Sequence, residues 1–271
     1  TLEEPARELL GLNENEYPPE VIIRAILKAD VDLLWNGGIG TYIKSSEESH
    51  GAVEDPQNNS FRVDADQVQA SIIGEGGNLG ITQKGRVELD RNGVRLNTDF
   101  IDNSGGVDLS DHEVNLKILL QEAIKAGEIT PEERTDWLDS FRGPSVESVL
   151  ENSYRQSGTI SLEVDNSPDR LDDYRSLLNH LENEGHIDRS REVLPDEQEL
   201  QDRQRADGGM TRPEVSTVAR RGSSSAARAV TGAYSVLYAG MNDEDCRAER
   251  LDVGVGPDGF DPEEDLRVVT A

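Results

Sequence analysis

The first clear pattern in the chain is an alternation of short apolar runs with glycine-rich breaks. VDLLWNGGIGTYIK carries an almost continuous apolar run from Val31 to Trp35 that stops at Gly37, Gly38 and Gly40. Such a run suits a buried parallel strand, and the glycines permit a tight path at its carboxyl end. ASIIGEGGNLG repeats the arrangement, with a second buried strand expected over Ala70 to Ile73. Upstream, Val21, Ile22, Ala25 and Ile26 recur at helical spacing. Downstream, the stretch ITQKGRVEL reads as extended, and VELDRNGVRLNTDFID as a hairpin turning at Asn92-Gly93. SDHEVNLKILLQEAIKAG predicts a helix opened by Ser110 and Glu113 and stopped by Gly127. Leu116, Leu119, Leu120, Ala123 and Ile124 line its apolar face. Thr130-Pro131 with Glu133 opens the next helix, and Ser167-Pro168 another that runs to Gly185. Leu171, Tyr174, Leu177, Leu178 and Leu181 form the buried stripe of that last helix.

Parallel strands entering glycine loops, with helices between, predict an α/β sheet with a site at the strands' carboxyl ends. Gly74, Gly76 and Gly80 approximate a dinucleotide-binding fingerprint. That fingerprint should open a helix directly, and the extended reading of ITQKGRVEL argues against it. Asp99 lies at a suitable distance for a ribose-binding acid, but behind a strand-like segment.

Composition changes this picture in two ways. Acids outnumber bases 55 to 27 among 271 residues, and aromatic content is 4%. Such a balance fits either a disordered acidic chain or a folded protein with an acid-saturated surface adapted to high salt. The periodic apolar runs and the scarcity of lysine favour the folded reading. No basic face suggests a nucleic-acid partner, and no apolar run approaches a membrane span. One cysteine, Cys246, excludes an intrachain disulfide and fits a reducing cytoplasm. The four histidines show no ligand spacing, so no metal site is expected. The second change comes near the end: Val215 through Asn242 contains no acidic residue and includes ARRGSSSAARAVTGAY. Residues 219–271 therefore read as weakly ordered or foreign to the rest of the fold.

VDLLWNGGIGTYIK, SIIGEGGNLGITQKGRVEL and above all NTDFIDNSGGVDLSDHEVNLKILL resemble the large bacterial NAD-specific glutamate dehydrogenases. The resemblance extends over about residues 18 to 217 and implies oxidative deamination of L-glutamate to 2-oxoglutarate and ammonia with NAD, in a cytoplasmic homo-oligomer. It implies the second half of a Rossmann-type domain followed by an α-helical extension. The expected division is a connecting segment at 1–17, a partial NAD-binding domain at 18–129, a helical extension at 130–217 and a tail at 218–271. By the same resemblance Asn78 and Asn103 face the nicotinamide half of NAD. Gly37, Gly38, Gly76, Gly77, Gly105 and Gly106 let backbone line the cleft, and Ser110 binds the substrate's side-chain carboxylate. No stretch matches the family's first glycine loop, catalytic lysine or catalytic aspartate; these are expected upstream, in a larger enzyme of which this chain is a piece. The tail break at Thr217 suggests a frame change or a decayed gene. The alternative is an inactive fragment or a non-catalytic acidic nucleotide-binding module.

Overall fold

The computed structural model describes residues 1–222 together with 235–238 and 247–250. The tail expected at 218–271 lies largely outside the described residues. Two short helices, α1 (Glu4–Leu10) and α2 (Pro19–Leu27), lead into strand β1 (Leu33–Asn36). Strands β2 (Ile43–Lys44) and β3 (Val63–Asp64) pair in parallel across the intervening residues 45–62, and β4 (Ile72–Glu75) follows. Next come α3 (Gln83–Arg91), β5 (Arg95–Leu96), the single turn α4 (Asp99–Asp102) and α5 (Ser104–Ala126). The main sheet has the order β1–β4–β5, all parallel, with Leu33 opposite Ile72 and Ile72 opposite Arg95.

Two of the expected elements differ. ITQKGRVEL is not extended, and Asn92-Gly93 does not turn a hairpin. Thr82 accepts a hydrogen bond from the Gly85 amide and caps helix α3, whose Val87 and Leu89 are buried. Asn92-Gly93 then ends the helix, and the chain returns parallel to β4. The apolar residues here were too few to fix a period, and the capping threonine decided the outcome.

The sheet is apolar on both faces but covered on one. Leu34 and Ile73 point into a cluster with Leu27, Ile43, Val63, Ile81, Leu89 and Leu96. On the opposite face Leu33, Trp35 and Ile72 are exposed, Trp35 by 62%. The expectation of a strand buried throughout thus holds for alternate residues only.

The second half of the described chain is helical. Helix α6 (Pro131–Asn166) opens with the expected capping box between Thr130 and Glu133 and runs unbroken through Pro144. Helix α7 (Leu171–Asn183) buries all five predicted stripe residues against Ile160, Leu194, Leu200, Met210, Val215 and Val218. Short α8 (Arg189–Glu192), α9 (Glu197–Arg205) and α10 (Arg212–Gly222) complete this second cluster. Helix α5 behaves differently from its pattern: of its predicted stripe only Leu120 is buried, and Leu119 is exposed.

Helix α10 joins the two halves. Gln83 donates to the Pro213 carbonyl and to the Thr217 hydroxyl at 3.3 and 3.0 Å. Arg203 holds the buried Glu214 carboxylate through two hydrogen bonds of 2.7 Å. At the end of α3, burial raises the Asp90 carboxyl to about 6, against an opposing hydrogen bond from the Arg212 amide. A carboxyl whose folded value exceeds its unfolded value of 3.8 gives stability that is complete below about 3.8 and lost as pH rises through 6. Asp90→Asn keeps the acceptor oxygen and removes the ionisation. Denaturant titrations should show it more stable than the parent by about 1–2 kcal/mol at pH 7, after allowance for partial solvation, and no more stable below about pH 4.

Candidate functional site

Three loops converge at the carboxyl edge of the sheet. The turn after β1 supplies Gly37 and Gly38, that after β4 supplies Gly76, Gly77 and Asn78, and that after β5 leads through α4 to Asn103. A Cβ on Gly77 would collide with the backbone carbonyl of Gly38, so the first two loops touch backbone to backbone. Gly76 and Gly77 both donate their amides to the Asn36 carbonyl, at 2.9 and 3.1 Å, which ties the second loop to the end of β1. The third loop joins through side chains: Asn103 Nδ2 donates to Asn78 Oδ1 at 2.8 Å. Six of the seven predicted cofactor and substrate residues therefore meet at one edge, and the two asparagines are in direct contact.

Ser110 is placed differently from its sequence reading. It does not cap a helix, because α5 starts at Ser104. Its hydroxyl donates to the Gly106 carbonyl one turn earlier, at 3.0 Å. Gly105 and Gly106 lie in the first turn of this helix, Gly105 against Val149 and Ser153 of α6. The Asn103 side chain, which could have capped α5, is committed to Asn78 instead.

The spacing of Gly74, Gly76 and Gly80 has an internal cause. The Trp35 indole lies across Gly74 and Gly76, where any side chain would meet its ring, and Gly80 packs against the Asn36 amide. Although β4, the loop and α3 do form a strand–loop–helix, the amino end of α3 is already served. Glu48 accepts a hydrogen bond from the Thr82 hydroxyl at 2.6 Å and one from the Ser45 amide at 2.9 Å. A carboxylate of the chain itself thus stands where a phosphate-binding loop would seat its ligand. Asp99 is likewise engaged internally rather than open to a ribose.

Beneath the loops is a charged cluster that the sequence reading missed. Glu75, fully buried, accepts from Arg86 Nε at 2.7 Å and from its terminal nitrogen at 2.9 Å. Arg86 also lies 3.2 Å from Asp99. Asp99 accepts from the Leu79 amide at 2.8 Å, and Asp102 accepts from the Glu75 amide at 2.9 Å and Asn97 at 2.9 Å. Burial pushes the Glu75 and Asp102 carboxyls up, against the pull of Arg86. Burial alone would lower Arg86, but Glu75 and the two aspartates carry it upward. This cluster fixes Leu79 in a left-handed conformation, φ 59°, and so sets the course of the loop that presents Asn78. One signal was legible: Glu75 shares the inward side of its strand with Ile73, and an inward-facing acid requires a buried cation.

The lysines beside the glycine loops lie away from the asparagine pair. Lys44 is buried and paired with Asp64, and Lys84 is exposed on α3. Among the described residues no group of three or more His, Cys, Asp or Glu side chains is arranged to hold a metal ion.

Comparison with known proteins divides the chain in two. Residues 203–248 match the diphosphomevalonate decarboxylase-like N-terminal domain. Phosphomevalonate decarboxylase of Haloferax volcanii is 65% identical over 66 residues, covering 24% of this chain and 18% of that protein. The larger part is similar to other proteins. The NAD-specific glutamate dehydrogenase of Halomonas elongata is 44% identical over 218 residues, 80% of this chain but 14% of the relative. That of Pseudomonas aeruginosa is 48% identical over 207 residues, 76% of this chain and 13% of the relative. The chain thus spans about one seventh of the length of these dehydrogenases. Residues 1–163 match the family described as bacterial NAD-glutamate dehydrogenase, catalytic domain. The match takes in every element of the parallel sheet and the asparagine pair at its edge, and the chain belongs to that family.

Proposed function

We propose that this chain forms the nicotinamide-side wall of the cofactor cleft in an NAD-dependent glutamate dehydrogenase, acting as part of a larger enzyme. The observation that carries the reading is the Asn103–Asn78 hydrogen bond, held beside the Gly38–Gly77 backbone contact at the carboxyl ends of parallel strands. These residues fit the nicotinamide half of NAD. Two carboxamides supply donors and acceptors for another carboxamide, and glycine backbones leave room for a flat ring to approach. The phosphate end is not served by the loop after β4, whose helix terminus Glu48 and Thr82 occupy. When bound, NAD supplies the acceptor for the hydride leaving the α-carbon of L-glutamate; water then completes conversion to 2-oxoglutarate and ammonia. The residues of this chain hold and orient. Asn78 and Asn103 fix the reacting ring, while Gly37, Gly38, Gly76 and Gly77 shape the wall. Ser110, with the first turn of α5, serves the side-chain carboxylate of glutamate. The supporting sheet is read as the second half of a Rossmann-type domain, and the helices from 130 to 217 as its extension.

Calorimetric titration of the chain with NAD tests this at high salt, where acid-rich surfaces repel least. Saturable binding is expected, weakened at least about tenfold by Asn78→Ala, the loss of one well-placed hydrogen-bonding side chain. An unchanged affinity in that variant would remove the reading. A parallel assay with glutamate and NAD separates wall from whole enzyme. Binding without turnover also fits the second reading, a non-catalytic nucleotide-binding module.

The stretch similar to phosphomevalonate decarboxylase suggests a different origin for the acid-free tail from a frame change. We read residues from about 203 onward as a segment of decarboxylase type joined to the dehydrogenase-like part near the end of α9. Ending the chain after Gly222 should leave NAD affinity unaltered.

A further inference from the structure

A cavity of about 530 Å³ opens between the loop after β4, α4, α8 and α10. This volume lies within the range of small-molecule sites. Three arginines line it: Arg86, Arg191 and Arg220. Arg86 is already neutralised by Glu75 and Asp99. The other two stand apart from the remaining exposed arginines on the helices. Exposed arginines on its helices pair with a carboxylate one turn away, as Arg142 does with Asp139, Arg155 with Glu151 and Arg205 with Asp202. Arg191 and Arg220 enter no ion pair among the described residues. Arg220 is instead held over the Phe100 ring, 4.8 Å from its centroid, an arrangement that orders the guanidinium.

The carboxylates on the cavity wall do not satisfy them. Asp99 is taken by Arg86 and by the Leu79 and Phe100 amides, and Glu192 has an interaction of its own. The neighbouring polar groups are also committed. Thr217 donates to the Pro213 carbonyl, and Thr82 donates to Glu48. In a protein of net charge −28, two arginines facing one cavity without carboxylate partners among the described residues form a local donor site for negative charge.

We propose that this cavity binds a small oxyanion ligand, a carboxylate or a phosphate, through the guanidinium groups of Arg191 and Arg220. Asn78 also lines this cavity, but the anion is held by the two arginines, which the cofactor reading does not use. Arg191 precedes, and Arg220 falls within, the 203–248 stretch similar to decarboxylases. The cavity is therefore lined both from within and from outside that stretch.

The test is calorimetric titration of the full chain with inorganic phosphate and, separately, with succinate. Arg191→Gln, Arg220→Gln, the double variant and Arg142→Gln as a control complete the set. Saturable binding of at least one anion is expected, about tenfold weaker in each single variant, absent in the double and unaltered in the control. Phosphate alone binding identifies a phosphorylated ligand, and succinate alone a carboxylate; either supports the site. No saturable heat from either anion, or equal affinity in the double variant, overturns it. Arg220→Lys provides a second check, since retained charge should restore part of the binding if the fold is intact. NAD titrations of the same variants should be unchanged, so that failure here is distinguishable from failure of the cofactor reading.

Discussion

Arg86→Ala is expected to lower unfolding free energy by about 3–5 kcal/mol in denaturant titrations, a large share of the stability of an ordinary domain. The reason is the company it leaves behind. Glu75 is fully buried, Asp99 is buried and Asp102 is half-buried, and Arg86 is the cation that Glu75 and Asp99 share. Removing it strands negative charge in a site that burial already pushes toward the protonated form. The deficit should therefore depend on pH. A carboxyl raised above its unfolded value gives stability when protonated and loses it as pH rises, so the variant's deficit should shrink as pH falls. Lys117→Ala, which breaks an exposed pair with Glu113, should cost far less at any of these pH values. Equal costs for the two substitutions would refute the placement of the cluster.

Gly77→Ala is expected to abolish NAD binding and to cost about 1–3 kcal/mol of stability, the usual penalty for overpacking. The new methyl group meets the backbone carbonyl of Gly38, which has no rotamer to change, so the two loops must separate. Asn78 is the next residue, and its contact with Asn103 is lost with the loop's position. Gly158→Ala gives the opposite result. Its Cβ would meet nothing within 4 Å in the interior of α6, and alanine should gain about 0.5–1 kcal/mol there. Melting temperatures and NAD titrations on the two variants provide the contrast.

Helices with their own end signals were legible in advance. The Thr130–Glu133 capping box, the Gly127 stop and the five-residue stripe of α7 stand where the sequence places them. The segment from Ile81 to Leu96 was not legible. Its cap, Thr82, also bonds Glu48, 34 residues earlier, and its apolar positions gain a face only against strands distant in sequence. Ser110 misled for the same reason. Ser110 and Glu113 make a good helix start, but the helix had begun at Ser104, where Asn103 meets Asn78. Local propensity lost to tertiary contact.

By itself the sequence determined the alternation of parallel strands and glycine loops over the first two strands of the sheet. Those depend on local periodicity and on residues whose conformational limits are intrinsic. It also marked the compositional break near residue 217, since composition needs no fold to be read. Only the tertiary structure decided what each glycine is for. Gly74 and Gly76 lie beneath Trp35, Gly80 lies against Asn36, and Gly77 lies against Gly38. It also decided that Glu75, Arg86 and the two aspartates stand beneath the loop. Glycine spacing records that backbone must come close to something. What it comes close to is set by strands and side chains brought together only when the sheet forms.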